Sequence, residues 1–414
     1  MTTTTVDDFA KAARSFLSDS VSERGSRSSD RAAESKSKYA LFAGSTETEL
    51  HAAVNYQRAL FDAGYGWITG PADEGGAGLT RNHEKAFAVA EREFTIPSKG
   101  PLSVSLGMVA PTVAQFGSTE AKNTWSKGLR RADVIGCQLF SEPGAGSDLA
   151  AVRARAKLDD ASGEWIVNGQ KVWTSGAHYS DIGIALTRTS DGPRHKNLTA
   201  FVVDMHAPGV DVRPLRQMTG GADFNEVFLS DVRVPDSARL GEVGGGWAVA
   251  IAMLMHERNA IGGSSSGGSG LFRMDDLASW IVDLGRAEDP AVVESFAKVY
   301  SGVTAAKAMR ARADSNLKAT GVPGPEMSLG KLALTANLQA LSDLVSLVLG
   351  MQLVADSGRP QTFAWSELVL SVPGMRIGGG TDEIHRNTVA ERALGLPKEP
   401  VQKPNSLTGA AAGS

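Results

Sequence analysis

The sequence predicts a multi-domain protein of mixed α and β structure, on three observations. Apolar residues follow a helical spacing in the first third of the chain, short strand-like runs separated by turn residues occupy the middle, and helical spacing returns at Trp247. The 414 residues are enough for roughly two or three domains. We therefore expect an N-terminal α-helical domain (1–130), a central small β-barrel or sandwich (131–236), a C-terminal α-helical bundle (237–398) and a disordered tail (399–414).

In the N-terminal part, the segments KAFAVAERE and VAPTVAQF have the spacing of buried helical faces. The stretch 18–37 is dense in Ser, Arg, Asp and Glu and predicts a solvated helix or a link. Gly70-Pro71 and the glycines of 74–78 predict a loop just after Trp67.

In the middle part, Asn168-Gly169 lies between the runs 164–167 and 170–173, a pattern that predicts a β-hairpin with a type I′ turn. Further strands are expected at 182–187, 198–203, 210–212 and 226–234. Short strands at this spacing are typical of a small barrel or sandwich.

In the C-terminal part, residues 247–255 are almost continuously apolar, so we expect a helix that is buried on most sides. Further helices are expected at 333–350 and 384–394. The run 262–270, GGSSSGGSG, predicts a flexible loop.

Composition and charge limit the classes of function. The chain is 42% hydrophobic and 21% charged, with a formal net charge of -4, so no charge excess indicates binding to nucleic acid or an anionic membrane. We expect no secretory signal and, without a run of about 18 apolar residues, no membrane span. The single cysteine, Cys137, excludes an intrachain disulfide and favours a cytoplasmic protein.

Two polar, glycine-rich segments are unsuited to a core: Leu139–Asp148, with the sequence LFSEPGAGSD, and Trp173–Gly176. Small residues allow the backbone to approach a ligand closely, and hydroxyl and N–H groups can then bind its polar edge. An aromatic ring such as Trp173 can cover a ring face. The pair of segments therefore predicts a site for a flat, phosphate-bearing cofactor.

Several short motif matches fail for lack of context. The G-x-S-x-G pattern at 263–267 lies in a Gly/Ser run after a helix, not between a strand and a helix. The P-loop-like run that ends at Lys331 has one residue too many, and Leu332 stands where a magnesium ligand belongs. His256-Glu257 lacks the second histidine of a zinc motif, no metal site is expected, and no G-x-G-x-x-G nicotinamide fingerprint occurs.

An ordered set of motifs resembles the acyl-CoA dehydrogenase family from about residue 65 to residue 398. The set comprises GPADEGGAGLT at 70–80, LFSEPGAGSD at 139–148, VNGQKVWTSGA at 167–177, DFNEVFLSDVRVP at 223–235, GEVGGGW at 241–247 and GGGTDEIHRN at 378–387. The resemblance implies a fold of helical, β and helical domains with FAD held between them. It also implies an acyl-CoA substrate, electron-transfer flavoprotein or a similar electron acceptor, and a homo- or hetero-oligomer. By position it implies cofactor contacts from Gln138, Phe140, Ser141, Ser147, Trp173, Thr174, Ser175, Thr381 and Glu383. The alternatives are a core aromatic for Trp173 and an ordinary tight turn for Gly144 and Gly146.

The catalytic base is displaced from its usual place in this family. Most members carry a glutamate directly before the Gly-Thr of the last motif, where this chain has Gly379. Relatives such as isovaleryl-CoA dehydrogenase carry the glutamate on a helix of the C-terminal domain, before an arginine, and Glu257-Arg258 matches that position. The resemblance thus implies Glu257 as the base that removes the α-proton, Arg258 as its support, and the Gly379 N–H as a donor to the thioester oxygen. The alternative is an ordinary Glu–Arg pair on a helix surface.

Two departures from the family pattern keep other functions open. The Arg-x-x-Phe-Gly motif and the Gly-Gly-x-Gly-Tyr segment, which contact the flavin phosphates in many members, are absent. One alternative is therefore a non-catalytic or flavin-sharing partner subunit of a heteromeric acyl-CoA dehydrogenase. Another is an oxidase or monooxygenase of the same fold.

Overall fold

The first third of the protein is helical. The computed structural model describes residues 5–23, 46–264, 273–320, 324, 326–355 and 362–398. Thr46 caps the second helix: its backbone N–H donates to the Glu49 carboxylate at 2.9 Å, and its hydroxyl accepts from the Glu49 N–H. The elements are α1 (Val6–Ser20), β1 (Ser22–Glu23), α2 (Glu47–Asp62), α3 (Arg81–Glu91), β2 (Phe94–Thr95), α4 (Ala110–Phe116) and α5 (Thr119–Arg131), with a π-helical turn at Ser105–Val109 before α4.

A single sheet of eight strands forms the middle of the protein. Its strands are β3 (Gly136–Leu139), β4 (Arg155–Asp159), β5 (Glu164–Ser175), β6 (Ile182–Arg188), β7 (Leu198–Asp204), β8 (Val210–Leu215), β9 (Phe224–Pro235) and β10 (Arg239–Leu240). The strand order is β10-β7-β6-β4-β5-β9-β8, and β3 pairs in parallel with β6. Every residue of β6 and β7 except the last of each is buried, so these two strands form the centre of the core. The strands expected at 182–187, 198–203, 210–212 and 226–234 are confirmed as β6 to β9.

The hairpin predicted at Asn168-Gly169 is wrong. Strand β5 runs through both residues and pairs with β9 on either side, with a bulge between Val167 and Gly169. The chain reverses earlier, between β4 and β5, where the Gly163 N–H donates to the Asp159 carbonyl at 2.8 Å. Gly169 is needed for close packing, because a Cβ there would lie 2.4 Å from the Ala154 Cβ.

Helices return after the sheet. They are α6 (Gly246–Ser264), α7 (Met274–Asp283), α8 (Pro290–Thr320), α9 (Glu326–Leu349), α10 (Thr362–Met375) and α11 (Asp382–Arg392), so the helices expected at 333–350 and 384–394 are confirmed. The first turns of α6 bury Val249, Ala250 and Met253 completely against the sheet core. Ile251 and Met255 are 41% and 45% exposed, however, so the expectation that this helix is buried on most sides is wrong.

Three predicted segments fall wholly or partly outside the described residues: the polar stretch 18–37, the loop 262–270 and the tail 399–414. Within the described ranges, one helical stretch, Ser328–Leu353, is long and apolar enough to cross a membrane by length and composition alone. In the most apolar part of this stretch, 56% of the helix is buried inside the protein, which is typical of a core helix.

Candidate functional site

The two polar segments predicted to bind a cofactor lie side by side. The Val172 N–H donates to the Ser141 carbonyl at 2.9 Å, which joins β5 to the loop after β3. That loop turns at Pro143-Gly144, where the backbones of Glu142 and Ala145 exchange two hydrogen bonds. Gly144 therefore lies in a tight turn. A Cβ at Gly144 or Gly146 would meet no atom within 4 Å, so the outer side of the loop is open.

A buried ion pair holds the two segments together on the side that faces the core. The Lys171 side chain is fully buried, and its ammonium donates to Glu142 Oε1 at 2.8 Å and to the carbonyls of Leu186 and Phe140 at 2.7 and 3.2 Å. The Glu142 carboxylate also accepts from the N–H groups of Arg153 and Ala154. Burial lowers the pKa of Lys171 to about 8, and Glu142 opposes that shift. Neither role was predicted, although a lysine between inward-facing strand positions is itself a signal of a buried partner.

Trp173 and Ser175 point away from the core. The Trp173 side chain is 60% exposed, which contradicts the core alternative, and its ring meets Phe224 edge-on at 5.9 Å. A second register shift, between Lys171 and Thr174, accompanies a Trp173 φ of 60°, a conformation that costs a non-glycine residue free energy. Strain of this kind is concentrated at functional sites.

Two predicted cofactor contacts do not have their side chains on the open face. Phe140 is 3% exposed and belongs to the main core cluster, and Thr174 is 1% exposed on the inner side of β5. Their contacts with a cofactor stay predictions, and the Thr174 hydroxyl is buried without a hydrogen-bond partner within the described residues. The Thr174 carbonyl accepts from the Asn225 side-chain amide at 3.0 Å.

The polar groups around this face fit a flavin. The Gln138 amide nitrogen is buried and has no hydrogen-bond partner within the described part of the chain, which is unusual unless a ligand or water supplies one. Ser141 is half-buried, and Ser147 and Ser175 are exposed. Nearby, burial raises the pKa of Asp223 to about 6, and the Gln217 amide opposes the shift. A ring stacked on Trp173 would find donors and hydroxyls along its edge.

A second cluster forms where α6, α9 and the start of α11 meet. Lys331 of α9 is 8% exposed, and its ammonium donates to the Gly378 carbonyl. Burial lowers the pKa of Lys331, and the carboxylates of Asp382 and Glu257 oppose that shift, which puts both within electrostatic reach of the ammonium. Lys331 was missed because its only local motif is a failed P-loop.

Of the predicted catalytic residues, Glu257 lies within electrostatic reach of Lys331, whose ammonium binds the loop that contains Gly379. Glu257 is half-buried, and of Arg258 the structure describes the backbone in α6 but not the side chain. Gly379 and Gly380 have positive φ values of 68° and 89°, and the Gly379 carbonyl lies 3.0 Å from His385 Nε2. The structure therefore brings the glycine loop towards Glu257 through Lys331.

Thr381 and Glu383 begin α11. The Thr381 hydroxyl accepts from the Ile384 N–H at 3.3 Å, so it caps the helix, and Glu383 pairs with Arg386 at 3.6 Å in solvent. Their contacts with a cofactor stay predictions. Beside them a cavity of about 490 Å³ opens, lined by Leu332, Thr335, Ala336, Gln339, Ala340, Asp343, Arg376, Asp382 and Arg386. Among the described residues no group of three or more His, Cys, Asp or Glu side chains is placed to hold a metal ion.

Two family models match the chain. They are the acyl-CoA dehydrogenase middle domain over residues 137–232 and the acyl-CoA dehydrogenase C-terminal domain over residues 244–394. The acyl-CoA dehydrogenase IpdE1 of Mycobacterium tuberculosis (strain ATCC 25618 / H37Rv) is 36% identical over 360 residues, which cover 84% of this chain and 90% of that protein.

Solved structures show the same fold. The Tcur3481-Tcur3483 steroid ACAD matches with a TM-score of 0.75 and 24% identity, over 95% of this chain and 98% of that chain. The ChsE4-ChsE5 complex from Mycobacterium tuberculosis matches with a TM-score of 0.71 and 24% identity over the same shares. The family models, the sequence relative, the exposed face around Trp173 and the glycine loop at 378–380 together lead to one assignment. The chain belongs to the acyl-CoA dehydrogenase family, an oxidoreductase family whose cofactor, FAD, it shares.

Proposed function

We propose that the protein dehydrogenates an acyl-CoA thioester between its α and β carbons, with Glu257 as the base. The observation that carries the proposal is the second cluster: Lys331 links the glycine loop, which lacks the usual glutamate, to a carboxylate on α6. Among the described acidic residues near the loop, Asp382 is held by Arg376 and Thr335 and Glu383 pairs with Arg386, so we assign the role of base to Glu257.

The residues divide the work between proton removal and charge stabilisation. The Glu257 carboxylate takes the α-proton, and the Gly379 N–H, which donates to no other group within the described residues, donates to the thioester oxygen where enolate charge develops. FAD, when bound, accepts the hydride from the β-carbon. Trp173 and Ser175 hold the ring, and the Lys171–Glu142 pair keeps their strand against the loop after β3. Consecutive glycines at 378–380 leave space at the thioester end, which favours a branched or bulky acyl group.

The test is an anaerobic titration of the FAD-loaded protein with butanoyl-, octanoyl- and 3-methylbutanoyl-CoA and with the CoA thioester of a steroid side chain. We expect at least one thioester to bleach the flavin absorbance, and a bulky one to do so fastest. Electron-transfer flavoprotein, or a similar acceptor, should then restore the colour faster than oxygen does.

Two other outcomes would favour the alternatives. A purified chain that does not take up FAD would favour a flavin-sharing partner subunit, an assembly consistent with the missing diphosphate motifs and with the two-component steroid ACAD among its structural relatives. Rapid reoxidation by oxygen would favour an oxidase or monooxygenase. Size measurement of the holoprotein, alone and mixed with a second acyl-CoA dehydrogenase chain, separates a homo-oligomer from a mixed one.

Trp173→Gly is expected to weaken FAD binding without destabilising the fold. The ring is exposed, so little core packing is lost, and glycine relieves a positive φ that costs other residues about 1–2 kcal/mol. The dissociation constant of FAD should rise roughly 10-fold through the lost stacking, whereas the melting temperature of the apoprotein should stay equal or rise. An unchanged dissociation constant would contradict the placement of the ring on the flavin.

A further inference from the structure

Lys331 and Gly379 act on opposite ends of one peptide unit. The ammonium of Lys331 donates to the Gly378 carbonyl, and the N–H of the same peptide bond belongs to Gly379. In a planar trans peptide the C=O and N–H point in opposite directions, so a group that fixes the carbonyl also fixes the direction of the N–H. Because glycine at 378–380 restrains the backbone little, that direction needs an external support.

The rest of the loop is held at other points, which leaves this peptide to Lys331. The Gly379 carbonyl lies 3.0 Å from His385 Nε2, and the Asp382 N–H donates to the Arg376 carbonyl at 3.1 Å. The Asp382 carboxylate accepts from Arg376 Nε and from the Thr335 hydroxyl, both at 2.9 Å. Asp382 therefore keeps two partners if the ammonium is removed.

The positive charge of Lys331 also strengthens the Gly379 N–H as a hydrogen-bond donor. An ammonium on the carbonyl polarises the peptide, and hydrogen bonds in series strengthen one another, so the Gly379 N–H becomes a better donor. The charged groups that act on Lys331 are Asp382 of α11 and Glu257 of α6.

We propose that Lys331 is a positioning residue that aims and strengthens the Gly379 N–H as the donor to the thioester oxygen. This inference rests on the proposed function for its catalytic consequence, but the support of the loop is independent of it. The benefit is largest when charge develops on the oxygen, so Lys331 should affect kcat more than KM.

The first experiment measures the loop directly. Hydrogen–deuterium exchange of the FAD-loaded protein is followed in a peptide covering 374–384 for wild type, Lys331→Met, Lys331→Arg and Lys298→Met, a lysine of α8 that is 68% exposed. We expect Lys331→Met to speed exchange of the protected Ile377, Gly378 and Asp382 amides roughly 10-fold, because a charge-assisted hydrogen bond is lost. Lys331→Arg should stay near wild type, and Lys298→Met should match it. Equal exchange in Lys331→Met and wild type would overturn the proposal.

The second experiment measures catalysis with the thioester that bleaches the wild-type flavin fastest. We expect Lys331→Met to lower kcat roughly 10- to 100-fold, less than the roughly 100- to 1,000-fold loss typical for removal of an oxyanion donor itself, with KM changed less than 3-fold. Lys331→Arg should restore kcat. An unchanged kcat in Lys331→Met, or a loss that appears in KM instead, would overturn the proposal.

The two proposals fail in different ways. If no thioester bleaches the wild-type flavin, the proposed function fails and the exchange experiment alone decides the loop support. If Lys331→Met does not fold, Lys331→Gln, which retains a donor of shorter reach without charge, takes its place with the same expected direction of both readouts.

Discussion

Glu257→Gln should slow flavin bleaching by the best thioester by roughly 10²- to 10⁴-fold, the range for removal of a general acid–base group. The amide retains the size of the side chain but cannot accept the α-proton. FAD absorbance before substrate addition should be unchanged, because the proposed flavin face belongs to Trp173 and Ser175 of β5, whereas Glu257 is on α6. Stopped-flow absorbance under anaerobic conditions measures the rate.

Glu242→Gln is the matched control for this change. Glu242 stands just before α6, its side chain is 96% exposed, and its ion-pair contact is Arg239 at 3.9 Å. Its removal should leave the bleaching rate within 2-fold. Bleaching by Glu257→Gln at the wild-type rate would exclude Glu257 as the base and favour the surface-pair alternative.

A relocated base gives a stricter version of the test. Gly379→Glu added to Glu257→Gln returns a carboxylate to the position that it occupies in most of the family. Its positive φ of 68° costs a non-glycine residue about 1–2 kcal/mol, so only part of the lost rate should return. A bleaching rate at least 10-fold above that of Glu257→Gln would show that carboxylates at the α6 and loop positions remove the same proton.

The order of elements and most strands of the middle region could be predicted from the sequence, because helical and strand periodicities are local. The Asn168-Gly169 hairpin could not be decided locally. A turn dipeptide and a bulge both favour glycine, and the continuous pairing of β5 with β9, set by residues 60 positions away, selected the bulge. The burial of the Thr174 side chain could not be predicted locally either, since a register shift beside it changes which face each residue occupies.

The candidate site could be predicted where its residues belong to short sequence motifs. Trp173, Ser141 and Gln138 stand in such motifs, and the structure brings the two segments together. Lys331 has no such signal, because its meaning depends on the carbonyl of Gly378, 47 positions along the chain. Contacts of this kind follow from helix packing, which a single sequence does not specify.

Lys171→Met should have the largest effect on stability. The change leaves the Glu142 carboxylate buried without its cation, and the carbonyls of Phe140 and Leu186 lose the hydrogen bond from the ammonium. Removal of one partner from a buried ion pair typically costs about 3–5 kcal/mol of the free energy of unfolding. Urea unfolding of the holoprotein measures the loss, with Lys157→Met, an exposed lysine of the neighbouring strand β4, as the control.

The pH dependence and a double variant test the same pair further. Because the pKa of Lys171 is about 8 in the folded protein and about 10.5 unfolded, the unfolded chain holds more protons between these values. The contribution of this group to wild-type stability therefore rises with pH across that window, and Lys171→Met should lack the rise. Lys171→Met/Glu142→Gln should recover part of the stability, since no buried charge is left unpaired and the amide oxygen still accepts from the backbone N–H groups behind it. Weak FAD binding in a folded double variant would then show that the ion pair is needed to hold the loop after β3 in the conformation that binds FAD.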